Sequence, residues 1–299
     1  MILTILLLGA VGIGGLFAYQ NRHEIQQDVI GHDVPEAVTF EELEVVADEV
    51  VGGNDELEDA DVSSNEKVAS PTDEDSARND VLEVADDAGD IIDEEILDLT
   101  DVGANATKLA SINLAIPFTS QAPHSNWDLP YQEACEEASV LMAVSFFDKE
   151  LVNLSSADEA DEAILSVVAF ETDKYDLFLD TTAAETKRFA EAMYPGYGFD
   201  LLSNPSVDDI KTALSNGSPV IVPAAGRELG NPNFTGAGPL YHMLVLRGYT
   251  DSTFVTNDPG TRNGNGYVYK QKTIMDAMGD WNAGDPANGA KVVIVVTKK

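Results

Sequence analysis

The sequence predicts an α+β domain, helices first and a mostly antiparallel sheet second, and two observations carry that reading. From about Glu133 to Asn216 apolar residues recur at helical spacing; after Gly217 short runs rich in Val, Ile, Leu and Tyr alternate with clusters of Gly, Pro and Asn. The sole cysteine, Cys135, stands at the opening of the first helical pattern. With no second thiol, an intrachain disulfide is impossible, so Cys135 is either a buried spectator or a reagent.

The first helix is expected from near Glu133 to Phe147, with Ala138, Leu141, Met142, Ser145 and Phe146 on its buried side. Further helical patterns cover about Ser156 to Ala169, Thr182 to Met193 and Val207 to Asn216. The last opens with Ser206 and Asp209 at capping-box spacing and stops at Gly217. Pro219 to Ala224, His242 to Tyr249, Thr253 to Thr256 and Lys291 to Val296 read as strands, and Gly266 to Lys270 is a further candidate.

Three regions divide the 299 residues. Residues 1–20 are almost uninterrupted apolar sequence, the length of a marginal membrane span, with no basic residue before it and no small-residue cleavage site after it; an uncleaved signal anchor is expected. Arg22 weakly favours a cytoplasmic C-terminal side. Residues 21–110 read as a disordered acidic linker. From Glu24 to Ala106 there are 28 Asp and Glu against Lys67 and Arg78, so most of the net charge of −36 lies there.

A flexible chain of that length spans about 50 Å, and self-repulsion extends it. Two apolar islands interrupt it: Phe40, Leu43, Val46 and Val50, and then Ile92, Ile96 and Leu99. Transient solvated helices are the default reading of both, and docking onto the folded domain or a partner is the alternative. Residues 111–299 are the folded domain, about 190 residues and enough for one core.

Composition excludes some functions. A chain so acidic lacks the clustered Lys and Arg that a phosphate backbone requires, so nucleic acid is not expected as a partner. His23, His32 and His124 form no metal-ligand spacing with Cys135, and Asn263 to Gly266 lacks the carboxylates of a calcium loop. No metal or cofactor is expected.

Downstream of Cys135 come His242, at the head of an apolar strand, and Asp258, at the end of another. That order is what a thiol nucleophile with an oriented base needs. Each residue also has a plainer reading. A lone cysteine on a helix is often a small buried hydrophobe, His242 can be a satisfied core histidine, and Asp258-Pro259-Gly260 is a good turn by itself.

Four segments together resemble a known family: Ile116-Pro117-Phe118-Thr119-Ser120-Gln121-Ala122-Pro123, Glu133-Ala134-Cys135-Glu136-Glu137-Ala138-Ser139, Tyr241-His242-Met243-Leu244-Val245 with Gly248-Tyr249, and Asn257-Asp258-Pro259-Gly260. They are similar to papain-like cysteine peptidases of the bacteriocin-processing, or double-glycine leader peptidase, type, in particular the stand-alone branch found in many exported bacterial proteins. The resemblance runs from about Ile116 to Val296. It implies a papain-like cysteine peptidase fold, with the nucleophile helix packed on the sheet that carries its base. It also implies Cys135 as nucleophile, His242 as base, Asp258 as its orienting partner and Gln121 as the oxyanion-hole side chain. Gln121 can alternatively cap the loop around Trp127. Many relatives have Gly after the catalytic cysteine, whereas this chain has Glu136.

The chemistry is consistent with these roles. A helix N-terminus lowers a thiol pKa through aligned peptide dipoles, and a histidine holds the ion pair and protonates the leaving amine. Glu136 and Glu137 oppose that activation if they face the sulfur, so they are expected to point toward solvent or a basic partner such as Arg262. Successive strand residues face opposite ways, so only one of Asn257 and Asp258 can reach His242, and Asp258 is expected.

The resulting expectation is a membrane-tethered, extracytoplasmic, monomeric thiol hydrolase acting on peptide or isopeptide bonds. A peptidoglycan amidase or endopeptidase and a transglutaminase-like acyl transferase share the same residues. A catalytically silent domain binding peptides or wall material is the alternative from another class.

Overall fold

The computed structural model describes residues 34–44, 109–176 and 179–299. The apolar segment 1–20 and the island at Ile92 to Leu99 lie outside the described residues, as do Val46 and Val50. Among the described residues no helix is long and apolar enough to cross a membrane.

Helices α1 (Cys135–Phe147), α2 (Ala157–Tyr175) and α3 (Ala183–Met193) precede most of the sheet. Strand β1 (Ile112–Asn113) comes before them. Strand β2 (Tyr197–Ser203), helix α4 (Val207–Ser215), strands β3 (Val220–Ala225), β4 (Tyr241–Tyr249), β5 (Thr253–Asn257) and β6 (Asn265–Lys270), helix α5 (Gln271–Ala277) and strand β7 (Val292–Lys298) follow. The sheet order is β2-β7-β3-β4-β5-β6, with β1 paired to the far end of β4. Every pairing between these named strands is antiparallel. This is the expected α+β plan, a papain-like layout in which the helix carrying Cys135 packs on the strand carrying His242.

Capping fixes two helix starts, the first of them as the sequence indicates. Ser206 and Asp209 form a reciprocal capping box at α4, and Thr182 and Glu185 form another at α3. Gly217, with φ of +76°, takes the left-handed turn that ends the α4 region. Helix α2 runs on to Tyr175, past the expected stop at Ala169, because Phe170 and Glu171 still face the core.

Helix α1 departs from an amphipathic pattern, since all thirteen of its residues are buried. A helix wrapped on every side has no solvent face. The expectation that Glu136 and Glu137 turn toward solvent or Arg262 is therefore corrected: they are 1% and 4% exposed.

Part of the segment read as linker belongs to the fold. Val38 forms a parallel bridge with Leu114, its N–H donating to Asn113 O (2.8 Å) and its carbonyl accepting from Ala115 N (2.7 Å). A helical turn over residues 40–44 follows, capped reciprocally by Thr39 and Glu42. Phe40 then sets its ring edge-on to Phe146 and Phe147, at centroid distances of 5.8 and 4.8 Å. Docking prevails at this island because Val38, Phe40 and Leu43 all find apolar partners on the domain.

Candidate active site

The site is assembled from three places on this scaffold. Cys135 is the first residue of α1, after a 3-10 turn at Tyr131–Glu133. His242 is the second residue of β4, and Asp258 immediately follows β5. Cys135 and His242 both line one cleft of about 1040 Å³, together with Gln121 and Trp127. Glu133 and Asp180 add carboxylates to its wall, and Arg227 and Arg262 add cations.

His242 Nε2 lies 2.7 Å from Asp258 Oδ1, and both side chains are almost wholly excluded from solvent. Asp258 accepts three further hydrogen bonds: Gly260 N to Oδ1 (3.0 Å), and Tyr269 OH (2.7 Å) and Asn231 Nδ2 (3.0 Å) to Oδ2. Burial alone would raise its pKa, but His242, Tyr269 and Asn231 overcome that and hold it below the ordinary carboxylate value. An ionised Asp258 accepts from Nε2–H, so in the neutral ring Nδ1 is the nitrogen that carries no proton.

Gly260 gives the imidazole its room. A Cβ there would stand 2.8 Å from His242 Cε1 and 2.9 Å from the Phe234 ring. Phe234 meets the imidazole edge-on, with centroids 5.4 Å apart.

Asn257, one residue earlier, turns the other way. Its Nδ2 donates to the carbonyls of Ile116 and Pro117, and its Oδ1 accepts from Arg247 Nη1 and Gly266 N. Arg247 is buried and also binds Asn113 Oδ1 and Asn265 Oδ1. Burial pushes its pKa down to about 10. This polar cluster fixes the segment that leads from β1 toward Gln121.

Gln121 sits between the two halves of the site. Its backbone N–H donates to Pro259 O (3.0 Å), while Nε2 donates to the carbonyls of Tyr131 (2.9 Å) and Gln132 (3.0 Å), just ahead of Cys135. Both amide protons are engaged in this arrangement, and buried Oε1 has no partner among the described residues.

The surroundings of the sulfur differ from the sequence expectation. Cys135 Sγ accepts from Met243 N (3.3 Å) and lies 2.9 Å from Glu136 Oε2. Burial first, and then Glu136, push the thiol pKa well above its ordinary value, against a smaller lowering by the Met243 N–H. Glu136 Oε1 accepts from Thr181 N (2.8 Å). Burial, followed by repulsion from Glu137, raises the Glu136 pKa well above the carboxylate range.

Glu137 is raised for the same first reason, with Glu171 of α2 the next cause, and Glu171 itself is pushed up to about 7, chiefly by burial. None of the three carboxyls forms a salt bridge with a cation among the described residues. The sequence signal for this cluster was the Glu136-Glu137 pair inside an apolar helix; its partner Glu171 carried no signal. Likewise Asn231 and Tyr269 bind Asp258 across long sequence separations that no motif records.

Among the described residues no group of three or more His, Cys, Asp or Glu is arranged to hold a metal ion.

No curated protein matches the sequence. Among solved structures, one match is a crystal structure of a protein from Bacillus anthracis described as a candidate C39-like peptidase. It is 14% identical, with a TM-score of 0.41, over 63% of this chain and 98% of that one. The model of the Peptidase_C39 like family matches residues 113–285, a span that holds Gln121, Cys135, His242 and Asp258. The chain belongs to the Peptidase_C39 like family.

Proposed function

We propose that the protein is a thiol hydrolase that cleaves peptide or isopeptide bonds through an acyl-enzyme, with Cys135 as nucleophile, His242 as base and Asp258 as the residue that orients it. The observation that carries this reading is the 2.7 Å His242–Asp258 contact. It directs Nε2 of the imidazole inward, and the other edge of the ring belongs to a side chain that shares a cleft with Cys135.

In this mechanism His242 Nδ1 takes the thiol proton and the thiolate attacks the substrate carbonyl carbon. The imidazolium, stabilised by Asp258, then protonates the leaving amine, and water hydrolyses the thioester. The backbone N–H of Cys135, with Gln121, faces the developing oxyanion. Gln121 can donate to it only by releasing the carbonyl of Tyr131 or of Gln132.

A catalytically silent peptide-binding or wall-binding domain is the second reading, because the resting thiol is held protonated by burial and by Glu136. Turnover of a labelled peptide library, and in parallel of muropeptides, separates these readings. Cleavage that disappears in Cys135→Ala supports the hydrolase and identifies the substrate class. Binding without cleavage, unaffected by that substitution, supports the silent domain.

The apolar sequence at 1–20 supports retention in the membrane, and the resemblance to exported peptidases, set against the single Arg22, supports a domain outside the cytoplasm. External protease on intact cells should then remove the domain and leave the anchor. A protected domain, or a soluble product beginning near Gln20, would reject that location.

A further inference from the structure

We propose that Glu136 takes part in the reaction in its protonated form, its carboxyl O–H donating a hydrogen bond to the Cys135 sulfur once the thiol proton has passed to His242. This rests on the hydrolase reading given above. Three observations carry it.

The first is contact: Oε2 lies 2.9 Å from Sγ, inside a site where Cys135 is 4% and Glu136 1% exposed. At that separation one proton must lie between the two atoms. While Cys135 is a thiol, the S–H can supply it. When His242 has taken that proton, a thiolate against a carboxylate would be two like charges in a dry site, and only a carboxylic acid keeps the contact favourable.

The second is fixation. Thr181 N donates to Oε1 at 2.8 Å, and Thr181 O accepts from Tyr241 OH at 2.9 Å, so the carboxyl is held from β4 and from the chain ahead of α3. Oε2 is thereby left for the sulfur.

The third is the company it keeps. Among the described residues the titratable groups that interact with Glu136 include Cys135 and Glu137 on its own helix, Glu171 on α2 and Tyr241 on β4, with Asp280 beyond Tyr241, and His242 of β4 shares the cleft with Cys135. Apart from His242 these are acids, and burial, followed by repulsion from Glu137, raises the Glu136 pKa well above the usual carboxylate range.

The proton balance is simple. The thiol proton moves to His242 and later to the leaving amine; the Glu136 proton stays on its oxygen throughout. Met243 N–H, already on the sulfur at 3.3 Å, is the second donor to the thiolate. As an acceptor in the resting site Glu136 raises the thiol pKa, and as a donor to the thiolate it offsets part of that cost.

The test is the rate of Cys135 alkylation by iodoacetamide in the folded full-length chain, across the neutral and alkaline range, for the wild type, Glu136→Gln and Glu136→Leu. Glutamine keeps a donor for the sulfur and an acceptor for Thr181, and it cannot ionise; leucine keeps the bulk and loses the donor. Glu136→Gln should stay within about threefold of the wild type near neutrality, and Glu136→Leu should fall by roughly ten- to a hundredfold, the scale of a hydrogen bond to a charged group.

Once the pH is high enough to ionise Glu136, the wild type should lose ground to Glu136→Gln, because only the wild-type residue can ionise beside the sulfur. Glu136→Gln as slow as Glu136→Leu near neutrality would overturn the proposal, and so would Glu136→Gln falling well below the wild type if the leucine variant failed to fold. A chain that cleaves no peptide while its alkylation rates keep this order would sink the hydrolase reading and leave the Glu136 assignment standing.

Discussion

Asn257 and Asp258 are adjacent in the chain and serve opposite sides of the sheet: the carboxylate of Asp258 holds His242 at 2.7 Å, while the amide of Asn257 joins Arg247 and the carbonyls of Ile116 and Pro117. Asp258→Ala should therefore lower kcat/KM by roughly tenfold or more, on the order of 1.4 kcal/mol in the barrier, with His242 free to rotate. Asn257→Ala should instead lower the melting temperature, because it leaves the Arg247 guanidinium and two backbone carbonyls short of partners. Kinetics and thermal melts on the purified pair check this; the reverse pattern would make Asn257 the orienting residue.

Gln121→Ala should reduce kcat and also lower the melting temperature. Its amide holds the carbonyls of Tyr131 and Gln132 at the entrance to α1, so its loss frees the turn that positions Cys135 as well as any oxyanion contact. A fall in kcat of about a hundredfold with no change in melting would assign Gln121 to the transition state alone. Unchanged kcat would move the oxyanion role to another donor.

Glu171 gives the fold a dependence on pH with a definite sign. Its carboxyl is pushed from 4.5 to about 7 in the folded chain, so the folded state binds the proton more tightly than the unfolded state. The associated stability is fully present below the unfolded pKa and is lost as pH rises through the folded one. Melting temperature should thus decline between about pH 4.5 and 7 in the wild type, and Glu171→Gln should flatten that decline. An equally steep decline in the variant would place the titration elsewhere, with Glu137 the next candidate.

Phe40→Ala should destabilise the domain by about 1–2 kcal/mol, since it removes a half-buried ring from the Phe146–Phe147 cluster. Denaturant unfolding measures this directly. No change in the unfolding midpoint would mean that residues 34–44 do not stay docked in solution.

Much of this architecture was legible from local pattern. The capping box at Ser206, the helix start at Thr182, the turn at Gly217 and the apolar strands after it are decided by residues close in sequence, and they fell near their expected places. Strand β2 was not legible, because Gly198 and Asp200 interrupt its apolar run; it is held by seven residue pairs with β7, almost a hundred positions away.

The candidate site divides in the same way. Cys135, His242, Asp258 and Gln121 were each marked by a motif, whereas the burial of Glu136 depends on α1 being enclosed by α2, α3 and the sheet. Spacing that looks amphipathic cannot reveal that the polar face is covered too. The docking of Phe40 is a third case: helical spacing gave the turn, and only the aromatic partners on α1 decide between a solvated and a packed helix.

The central claim is that Cys135 and His242 act as one chemical unit. A peptidyl vinyl sulfone tests it most directly, since a thiolate adds to such a probe efficiently where an imidazolium supplies the proton. Mass spectrometry of the treated native chain should place the adduct on Cys135, with labelling reduced at least tenfold, about 1.4 kcal/mol, in a folded His242→Ala variant. Labelling of the variant at the wild-type rate, or labelling of the wild type only after denaturation, would contradict the account.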